Sequence, residues 1–379
     1  MFEDEAFPEE NKPLPYSTPA MQDEVKLDLE NDLLFSIVYD VFPIVKVESW
    51  EGITIEIPDV SIAEEDVSRE LDVIRERNAI VLDKNDDESA EKSDVVTVDY
   101  CELGSESGEA PLEVLANSER EGFSFTLGSG HNAYEFDDEI AGMKKGETRE
   151  FTKVYPEDHK EFPGEIKKLR LALTVLKSKK LPDLDDDLAQ DVDEKFKTLD
   201  DLKNSIRQRL EKNLDEMSRN IKINRLLDKI MESSPAEIPE SMIRAEIDSR
   251  WRNLARRFNT DEDGLFQIMG NSAERVESII ESWKPDAQKS IHSRLILENI
   301  MEKLEIEASE EDLEKDIQRQ ALESETELEE FRQNYENEQV RSFLKERIKE
   351  RKAIDLIMSK NTFQPGKKES YVDLVGNNR

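Results

Sequence analysis

The sequence predicts an α+β multidomain protein, and three observations support this fold class. The chain has 379 residues, which is more than one hydrophobic core normally holds. Several runs before residue 176 place apolar residues at every second position, as in half-buried strands. Beyond residue 198, apolar residues recur at every third or fourth position, as in amphipathic helices. We therefore expect mixed N-terminal strands, a small β module and a large helical region, in that order.

The N-terminal part contains two predicted strands and one predicted helix. Residues 11–19 read NKPLPYSTP, where three prolines exclude a helix interior. Two alternating sets predict strands: Phe35, Ile37, Tyr39 and Val41, then Ile53, Ile55 and Ile57. After Pro58, the helical spacing of Val67, Leu71 and Ile74 predicts a helix over residues 62–82.

The predicted β module extends from about residue 89 to residue 178. Its strands show alternation in three sets: Val96, Val98 and Tyr100; Phe123, Phe125 and Leu127; and Leu169, Leu171, Leu173 and Val175. The segment YEFDDEIAGM between the second and third sets predicts one short helix. A module of this length is a normal domain size.

Helices dominate the sequence after the module. The segment KSKKLPDLDDDLAQDV is expected to be an acidic linker, and two apolar stripes beyond it predict helices: Ile206, Leu210, Leu214, Met217 and Ile221, then Ile243, Ile247, Trp251, Leu254 and Phe258. The segment QPGKKESYVDLVGNNR at the end is expected to be frayed. The module separates the helix predicted over 62–82 from these helices, so it interrupts a region that is helical on both sides.

Composition and motifs exclude several function classes. The net charge is -37, whereas a duplex-binding protein normally needs a basic face, so direct nucleic-acid binding is not expected. Cys101 is the single cysteine, and no signal-like start or apolar run of about 18 residues occurs, which predicts a cytoplasmic chain without membrane contact. His131, His159 and His292 lie far apart, so no metal site is expected. Neither a P-loop nor a GxSxG, HExxH or CxxC motif is present.

One reaction needs no nucleophile or cofactor, namely rotation about a prolyl amide bond. The barrier of about 18–20 kcal/mol reflects amide resonance, which the twisted state has lost. A dry aromatic pocket can therefore bind the twisted state better than the planar one. Tyr100, Phe123, Phe125 and Phe136 could supply such a pocket. The alternative is that these four rings are ordinary core aromatics of a small β fold.

The segments VTVDYCELG, FSFTLGSGHNAYEFDDEIAGMKKGE and LRLALTVL together resemble the FKBP-type peptidyl-prolyl isomerase module. The flanking stretches KKLPDLDDDLAQDVDEKFKTLDDLKNSIRQRLE and EIPESMIRAEIDSRWRNLARRF resemble the linker and helical domain of the trigger factor family of ribosome-associated chaperones. The stretch FSIVYDVFPIVKVESWEGITIEIP resembles the end of that family's N-terminal domain. The resemblance covers residues from about 11 to about 360.

The resemblance implies a partial N-terminal α+β domain, an FKBP-like antiparallel β-sheet with a short helix, and an all-α C-terminal domain with helical arms. The basic Gly-Phe-Arg loop that docks the family on the ribosome does not occur in this sequence, so we expect that part to be truncated. The expected domain limits are 1–51 for the N-terminal remnant, 52–88 for a connecting strand and helix, 89–178 for the isomerase module, 179–362 for the helical domain and 363–379 for the tail.

The resemblance also implies roles for individual residues. Tyr100, Phe123, Phe125 and Phe136 match the aromatic residues of the isomerase pocket. Glu113 stands near the usual acidic position, Ala133 replaces a larger aliphatic residue, Glu135 replaces a glycine, and Leu169 stands where phenylalanine is common. Losing an aromatic wall removes apolar contact worth about 1–3 kcal/mol, so a weak isomerase is expected.

The implied main function is ATP-independent binding of nascent or unfolded polypeptides, in support of folding and protein export. Candidate contact residues outside the module are Met231, Phe266, Met269, Phe331 and Tyr335. The ribosome is an expected partner of the family, no cofactor is expected, and homodimer formation is left open. Two alternatives remain, namely a prolyl isomerase whose helices only tether clients and a scaffold for one folded partner.

Overall fold

The computed structural model divides into two compact units, each described separately here. It describes residues 11–22, 36–104, 113–115, 118–130, 132, 134–159, 161–324, 326–333, 335 and 337–377. The helical unit combines Met1–Val60 with Leu214–Glu369, and the sheet unit combines Ser61–Asn213 with Ser370–Arg379. The segment Ser61–Asn213 of the sheet unit is therefore inserted into the sequence of the helical unit, and Ser370–Arg379 follows it.

The strands, in chain order, are β1 (Ala20–Met21), β2 (Ile37–Val38), β3 (Thr54–Asp59), β4 (Ile80–Asp83), β5 (Val95–Gly104), β6 (Glu113–Val114), β7 (Arg120–Thr126), β8 (Thr148–Val154), β9 (Ile166–Lys180) and β10 (Thr362–Lys368). The helices are α1 (Glu64–Arg77), α2 (Asp137–Ile140), α3 (Asp186–Val192), α4 (Leu199–Ser233), α5 (Glu240–Arg257), α6 (Glu262–Ile268), α7 (Ala273–Lys303), α8 (Glu310–Glu323), α9 (Leu328–Gln333), α10 (Glu338–Ser359) and α11 (Tyr371–Asn377). Nine of these ten strands lie before residue 181 and nine of these eleven helices lie beyond it, which confirms the α+β class.

A six-stranded antiparallel sheet forms the centre of the sheet unit. Its order is β4-β9-β5-β6, with β7 beside β5 and β8 beside β9. Leu169, Leu171 and Leu173 alternate along β9 and are each 0% exposed, as predicted. A bulge follows, because Thr97 pairs with Val175 while Val98 pairs with Leu173. The extra residue reverses the alternation, so Leu176 is buried instead of the predicted Val175.

A second core in the sheet unit joins the helix before the sheet to the helices after it. Val67 and Leu71 of α1 pack with Leu202, Ile206 and Leu210 of α4. This shared core brings together the helices on either side of the module, and the prediction that the module interrupts continuous helical material stays a prediction. The helix predicted over 62–82 is too long, however, because residues 80–83 form β4 and pair with β9.

The acidic linker expected after the module is partly wrong. Asp185 accepts a hydrogen bond from the backbone N–H of Leu188 at 3.1 Å and so caps α3. Asp186 and Asp187 lie in the first turn, where the helix dipole favours negative charge. Leu188 and Ala189 are buried. The aspartate run is therefore a helix start.

The core of the helical unit is assembled from distant parts of the chain. Its buried residues come from an N-terminal segment, α4, α5, α7 and α10, and they include Leu14, Val45, Leu226, Ile243, Ile291, Ile300 and Ile357. A separate small cluster joins α8 to α10 through Leu313, Ile317, Leu344 and Ile348. The apolar stripes of α4, α5, α7, α8 and α10 thus contribute to shared cores, although Phe258 of the predicted α5 stripe is 53% exposed.

The C-terminal segment differs from the frayed tail that the sequence predicted. Strand β10 pairs with β3 in parallel, with Phe363 opposite Ile55. Asn361 fixes this junction, since its Oδ1 accepts from the Ile53 N–H at 2.8 Å and its amide donates to the Trp50 carbonyl at 2.9 Å. Leu374 in α11 is 4% exposed. The segment up to residue 377 is therefore part of the fold.

The first predicted strand is also largely wrong. Only Ile37 and Val38 form β2, and both side chains are exposed. Phe35 lies outside the described residues. The buried apolar residues of this stretch are instead Val45 and Val47, which join the core of the helical unit. None of the helices in the part of the chain that the structure describes has the length and hydrophobicity needed to cross a bilayer.

Candidate functional site

The four aromatic residues singled out in the sequence lie together on one face of the sheet unit. Tyr100 comes from β5, Phe123 and Phe125 come from β7, and Phe136 directly precedes α2. The Tyr100 ring centroid lies 5.8 Å from that of Phe123 and 5.4 Å from that of Phe136. The Phe125 and Phe136 centroids are 5.9 Å apart. We call these four residues the aromatic cluster.

Phe136 is the floor of the aromatic cluster. Its side chain is 0% exposed. Its backbone N–H donates to Oδ1 of the buried Asn132 at 2.9 Å, and the Asn132 amide donates to Asp137. Asp137 also accepts from the Gly128 N–H at 2.6 Å. This hydrogen-bonded turn fixes where Phe136 enters the sheet face.

Glu135 has a left-handed backbone conformation, which is the reason that glycine is favourable at this position. Its φ is 50°, in the left-handed region that glycine adopts without a Cβ clash. Its carboxylate lies 3.5 Å from Nε2 of His159. The turn before Phe136 therefore holds a strained residue, of the kind that clusters at functional sites.

Three further rings, here called the outer rings, extend the aromatic cluster and were missed in the sequence. They are Tyr134, Tyr155 and Phe162. The Tyr134 centroid lies 5.3 Å from that of Tyr100 and 4.9 Å from that of Phe162, and the Tyr155 centroid lies 5.1 Å from that of Phe162. The aromatic spacing in VYPEDHKEF was the available signal. Most of this segment lies in a loop after β8, where side chains do not alternate, so the sequence could not show which way its aromatic side chains point.

A hydrogen-bonded group anchors Tyr134. Its hydroxyl donates to Oε1 of Glu102 at 2.7 Å. Lys167 Nζ donates to both oxygens of the same carboxylate, at 3.1 and 3.0 Å, and lies 4.7 Å from the Phe162 ring centroid. The Glu102 and Lys167 side chains are 18% and 15% exposed. A nearly buried ion pair therefore borders the aromatic cluster.

The tyrosine hydroxyls at the site stay protonated through the neutral range. Burial raises the pKa of Tyr134 above its ordinary value, and the hydrogen bond to Glu102 raises it further. Burial also raises the pKa of Tyr155 to about 12. The Tyr155 hydroxyl donates to the Tyr134 carbonyl at 2.9 Å. Both phenols thus act as hydrogen-bond donors.

The other residues predicted for the isomerase site have different outcomes. Leu169 is 0% exposed and lies in the core behind the aromatic cluster. Glu113 is described only as a backbone position in β6. Ala133 lies outside the described residues. The predicted roles of these three residues stay predictions.

The five candidate client-binding residues lie at different places in the helical unit. Met231 packs partly buried against its main core, and Phe331 and Tyr335 pack against the small cluster of α8 and α10 with ring centroids 5.2 Å apart. Phe266 and Met269 are half-buried at α6. Their roles also stay predictions.

A groove between α5, α6 and α7 has a volume of about 570 Å³. Five of the residues that line it are apolar: Ile247, Phe266, Ala273, Val276 and Ile280. Charged residues border it: Glu240, Arg244, Asp248, Glu277, Glu281 and Lys284. Of the predicted client-binding residues, Phe266 is the one that lines this groove. Among the described residues, no group of three or more His, Cys, Asp or Glu side chains could hold a metal ion.

Comparisons with known proteins match successive parts of the chain. A family model for the "bacterial trigger factor protein (TF)" matches residues 2–74, one for the "FKBP-type peptidyl-prolyl cis-trans isomerase" matches 86–187, and one for the "bacterial trigger factor protein (TF) C-terminus" matches 198–359. The trigger factor of Treponema denticola is 38% identical over 373 residues, which cover 98% of this chain and 82% of that protein.

The chain is also similar to two further proteins. The trigger factor of Treponema pallidum (strain Nichols) is 33% identical over 367 residues, which cover 97% of this chain and 79% of that protein. A solved structure of the trigger factor chaperone is 22% identical with a TM-score of 0.40, covering 90% of this chain and 79% of that chain. The family models and the two relatives point to one and the same family.

Proposed function

Because the chain belongs to the trigger factor family of chaperones and carries an FKBP-type peptidyl-prolyl isomerase domain, we propose that it binds unfolded polypeptides and isomerises their prolyl bonds weakly. Binding proceeds without ATP, in keeping with the missing P-loop motif. Each apolar contact contributes about 25 cal/mol per Å² of surface removed from water. Several weak contacts then act together on one client and release it readily.

The observation that carries the isomerase proposal is the aromatic cluster on one sheet face. Tyr100 and Phe123 are half-buried above the fully buried Phe136. Their side chains offer a client proline an apolar surface poor in hydrogen-bonding groups. A twisted prolyl amide has lost resonance and much of its dipole, so this surface binds it better than the planar amide. Two departures from the family pattern support a weak isomerase activity. Leu169 is smaller than the phenylalanine that is common at this position, and the strained Glu135 replaces a glycine.

Phe123 offers a sharper test than Phe136, whose fully buried ring also supports the fold. Phe123→Ala removes part of the wall, so kcat/KM for cis/trans exchange in a short Xaa-Pro peptide is expected to fall about ten-fold. Suppression of client aggregation is expected to stay unchanged. Phe343→Ala, whose ring is 65% exposed in α10, is the control for isomerisation. Unchanged kcat/KM in Phe123→Ala would contradict the assigned pocket.

The same pair of assays separates the alternatives. If Phe123→Ala abolished aggregation suppression together with isomerisation, the protein would be an isomerase first, with helices that only tether clients. If the chain bound one folded partner saturably and no varied unfolded chains, the scaffold alternative would replace the chaperone proposal.

We propose that clients bind in the groove of α5, α6 and α7, where Phe266 is one of the lining residues. Phe266→Ala is expected to weaken aggregation suppression about three- to ten-fold through lost apolar contact. Val154→Ala in β8 is the control, since Val154 is 67% exposed and lies in the other unit. Equal suppression by both variants would place client binding elsewhere.

The proposal extends to nascent polypeptides, to the ribosome near its exit tunnel and to protein export in the cytoplasm. The match of residues 2–74 to the family's N-terminal model supports the ribosome as a partner, whereas the basic docking loop of the family does not occur in the given sequence. The single cysteine suits a reducing compartment. Domain limits at 51, 88 and 178 are proposed on the changes in hydrophobic period, whereas the expected limit at 362 is given up because β10 pairs with β3. A pelleting assay with purified ribosomes tests the proposed ribosome binding. If the protein did not co-sediment with ribosomes, its clients would be limited to polypeptides already released from the ribosome.

A further inference from the structure

We propose that Asn132 is a positioning residue of the isomerase site, because its side chain holds the backbone from which the Phe136 ring enters the aromatic cluster. This inference rests on the proposed isomerase function. Asn132 acts through Phe136, and we assign it no contact with the client. Three features support the inference, namely the buried amide of Asn132, its link to the end of β7 and the rings that pack against Phe136.

The amide of Asn132 is buried, and both of its ends are bonded. Asn132 is 4% exposed, and a buried amide is costly unless it is hydrogen-bonded. Its Oδ1 accepts from the Phe136 N–H at 2.9 Å, and its Nδ2 donates to Asp137. Its backbone carbonyl also accepts from the Glu135 N–H at 3.1 Å. Asn132 thus holds two successive backbone N–H groups of the turn that leads to the floor ring.

The partner of this amide ties the turn to the preceding strand. One carboxylate oxygen of Asp137 accepts from Asn132, and the other accepts from the Gly128 N–H at 2.6 Å. Gly128 follows β7, the strand that carries two of the four rings of the aromatic cluster. The hydrogen bonds from Gly128 through Asp137 and Asn132 to Phe136 therefore connect the two elements on which three of these rings stand.

The placement of Phe136 reaches the client through the neighbouring rings. Its ring centroid lies 5.4 Å from that of Tyr100 and 5.9 Å from that of Phe125, which lies 5.4 Å from that of Phe123. Tyr100 and Phe123 are the half-buried rings, so a displaced Phe136 shifts the surface that the client meets. A misplacement of about 1 Å can slow a reaction about 100-fold. Loss of the Asn132 hydrogen bonds is therefore expected to lower kcat/KM in a chain that is still folded.

Asn132→Asp tests the inference, because a proton can restore the donor that this substitution removes. At about pH 8 the introduced carboxylate repels Asp137, and kcat/KM is expected to fall about ten-fold. Two carboxylates this close take up one shared proton more readily than a lone carboxylate does. The protonated side chain donates and accepts as the amide did, so kcat/KM is expected to return to within about two-fold of the wild type at about pH 5.

A double variant, Asn132→Asp with Asp137→Asn, exchanges the two side chains and can keep all their hydrogen bonds. The introduced carboxylate accepts from the Phe136 N–H and from the introduced amide, and the amide oxygen accepts from the Gly128 N–H. This variant is expected to retain kcat/KM within about two-fold of the wild type at both pH values. A residue that only filled space in the turn would show neither the rescue by acid nor the rescue by exchange.

Asn85→Asp is the matched control. The Asn85 amide donates to the Glu88 carboxylate at 2.9 Å on the exposed surface of the sheet unit. The substitution therefore creates the same pair of like charges outside the aromatic cluster. It is expected to leave kcat/KM unchanged at both pH values.

The measurement is NMR exchange between the cis and trans forms of a short peptide with one Xaa-Pro bond, catalysed by the full chain. Each kcat/KM is divided by that of the wild type at the same pH, and circular dichroism confirms that each variant is folded. The ring signals of Tyr100 in a tyrosine-labelled chain give a second readout that needs no catalysis. They are expected to shift between the two pH values in Asn132→Asp, relative to the wild type, and not in the double variant or in Asn85→Asp.

The outcomes separate the positioning role from the function on which it rests. A folded Asn132→Asp chain with wild-type kcat/KM at about pH 8, or with a low value that persists at about pH 5, would overturn the inference. If this variant failed to fold, a folded double variant with about ten-fold lower kcat/KM would overturn it equally. No catalysis by the wild-type chain would overturn the isomerase proposal, and the Tyr100 signals would still show whether Asn132 positions the aromatic cluster.

Discussion

The sheet unit and the helical unit build their main cores in opposite ways. The sheet core takes its buried residues from one continuous stretch between Ala90 and Leu176. The main helical core joins residues as distant as Leu14 and Ile357. The aromatic cluster is thus built by strands close in sequence, whereas the groove depends on a scaffold gathered from both ends of the chain. From this difference we expect the proposed isomerase site and the proposed client groove to lose their structure independently of each other.

The strongest test of this comparison removes one fully buried side chain from each core. Ile291→Ala and Leu171→Ala, both at positions that are 0% exposed, are each expected to lower the free energy of unfolding of their own unit by about 2–5 kcal/mol. The three tryptophans all lie in the helical unit, at Trp50, Trp251 and Trp283. Urea unfolding followed by tryptophan fluorescence therefore reports on that unit.

Ile291→Ala should shift the tryptophan transition to lower urea, and Leu171→Ala should leave it in place while lowering isomerisation at intermediate urea. An equal shift of the tryptophan transition in both variants would show that the two cores unfold together. The two cores would then still differ in how far apart their residues lie in the sequence, but they would not differ in stability.

A smaller test concerns the local cluster of α8 and α10 within the helical unit. The Asp316 side chain is 5% exposed and accepts from Arg319 at 2.7 Å and Arg351 at 2.6 Å. Burial alone would raise the pKa of Asp316, but these hydrogen bonds outweigh it and hold the pKa below its ordinary value. Because the folded pKa is the lower one, this stabilisation is present above the unfolded pKa of about 4 and is lost as the pH falls through the folded value.

Asp316→Asn is therefore expected to lower the free energy of unfolding by about 1–3 kcal/mol at pH 7, with the difference from the wild type narrowing below about pH 4. Urea titrations across this pH range measure it. Glu323→Gln removes an exposed partner of Arg319 and is expected to change stability by less than about 1 kcal/mol. A constant difference between Asp316→Asn and the wild type down to pH 2 would contradict the assignment.

The smallest expected effect is at the strained turn of the sheet unit. Glu135→Gly relieves the left-handed φ and is expected to raise the free energy of unfolding by about 1 kcal/mol or less. Thermal unfolding measures the change. Ser93→Gly relieves a φ of 76° away from the aromatic cluster and is the matched control. A lower unfolding temperature for Glu135→Gly alone would mean that its contact with His159 outweighs the strain.

The aromatic cluster could be predicted from the sequence because strand alternation assigns residues to a face. Phe123 and Phe125 share β7, and Tyr100 lies on the neighbouring β5. The partners of Tyr134 could not be predicted, since Tyr134 lies in the turn before α2 and Glu102 is 32 residues away on β5. Hydrogen bonds between loops and strands leave no period in the sequence.

The wrong predictions have equally specific causes. The bulge at Thr174 shifts the alternation of buried side chains, so Leu176 is buried where Val175 was predicted. No local signal in the sequence marks a bulge. The aspartates before Leu188 were interpreted as a solvated linker, although a capping residue before an apolar pair also predicts a helix start. The pairing of β10 with β3 depends on contacts across the whole chain, which local patterns do not encode.

The pairing of β3 with β10 also determines how late in translation the fold can be completed. The bond from the Ile53 N–H to Asn361 spans 308 positions. At about 5–20 residues per second, a ribosome needs about 15–60 s to make the second partner after the first. The continuous core between Ala90 and Leu176 can close long before then. While it is being made, this chaperone thus leaves β3 without its partner strand, which is the kind of exposure that it is proposed to relieve in other chains.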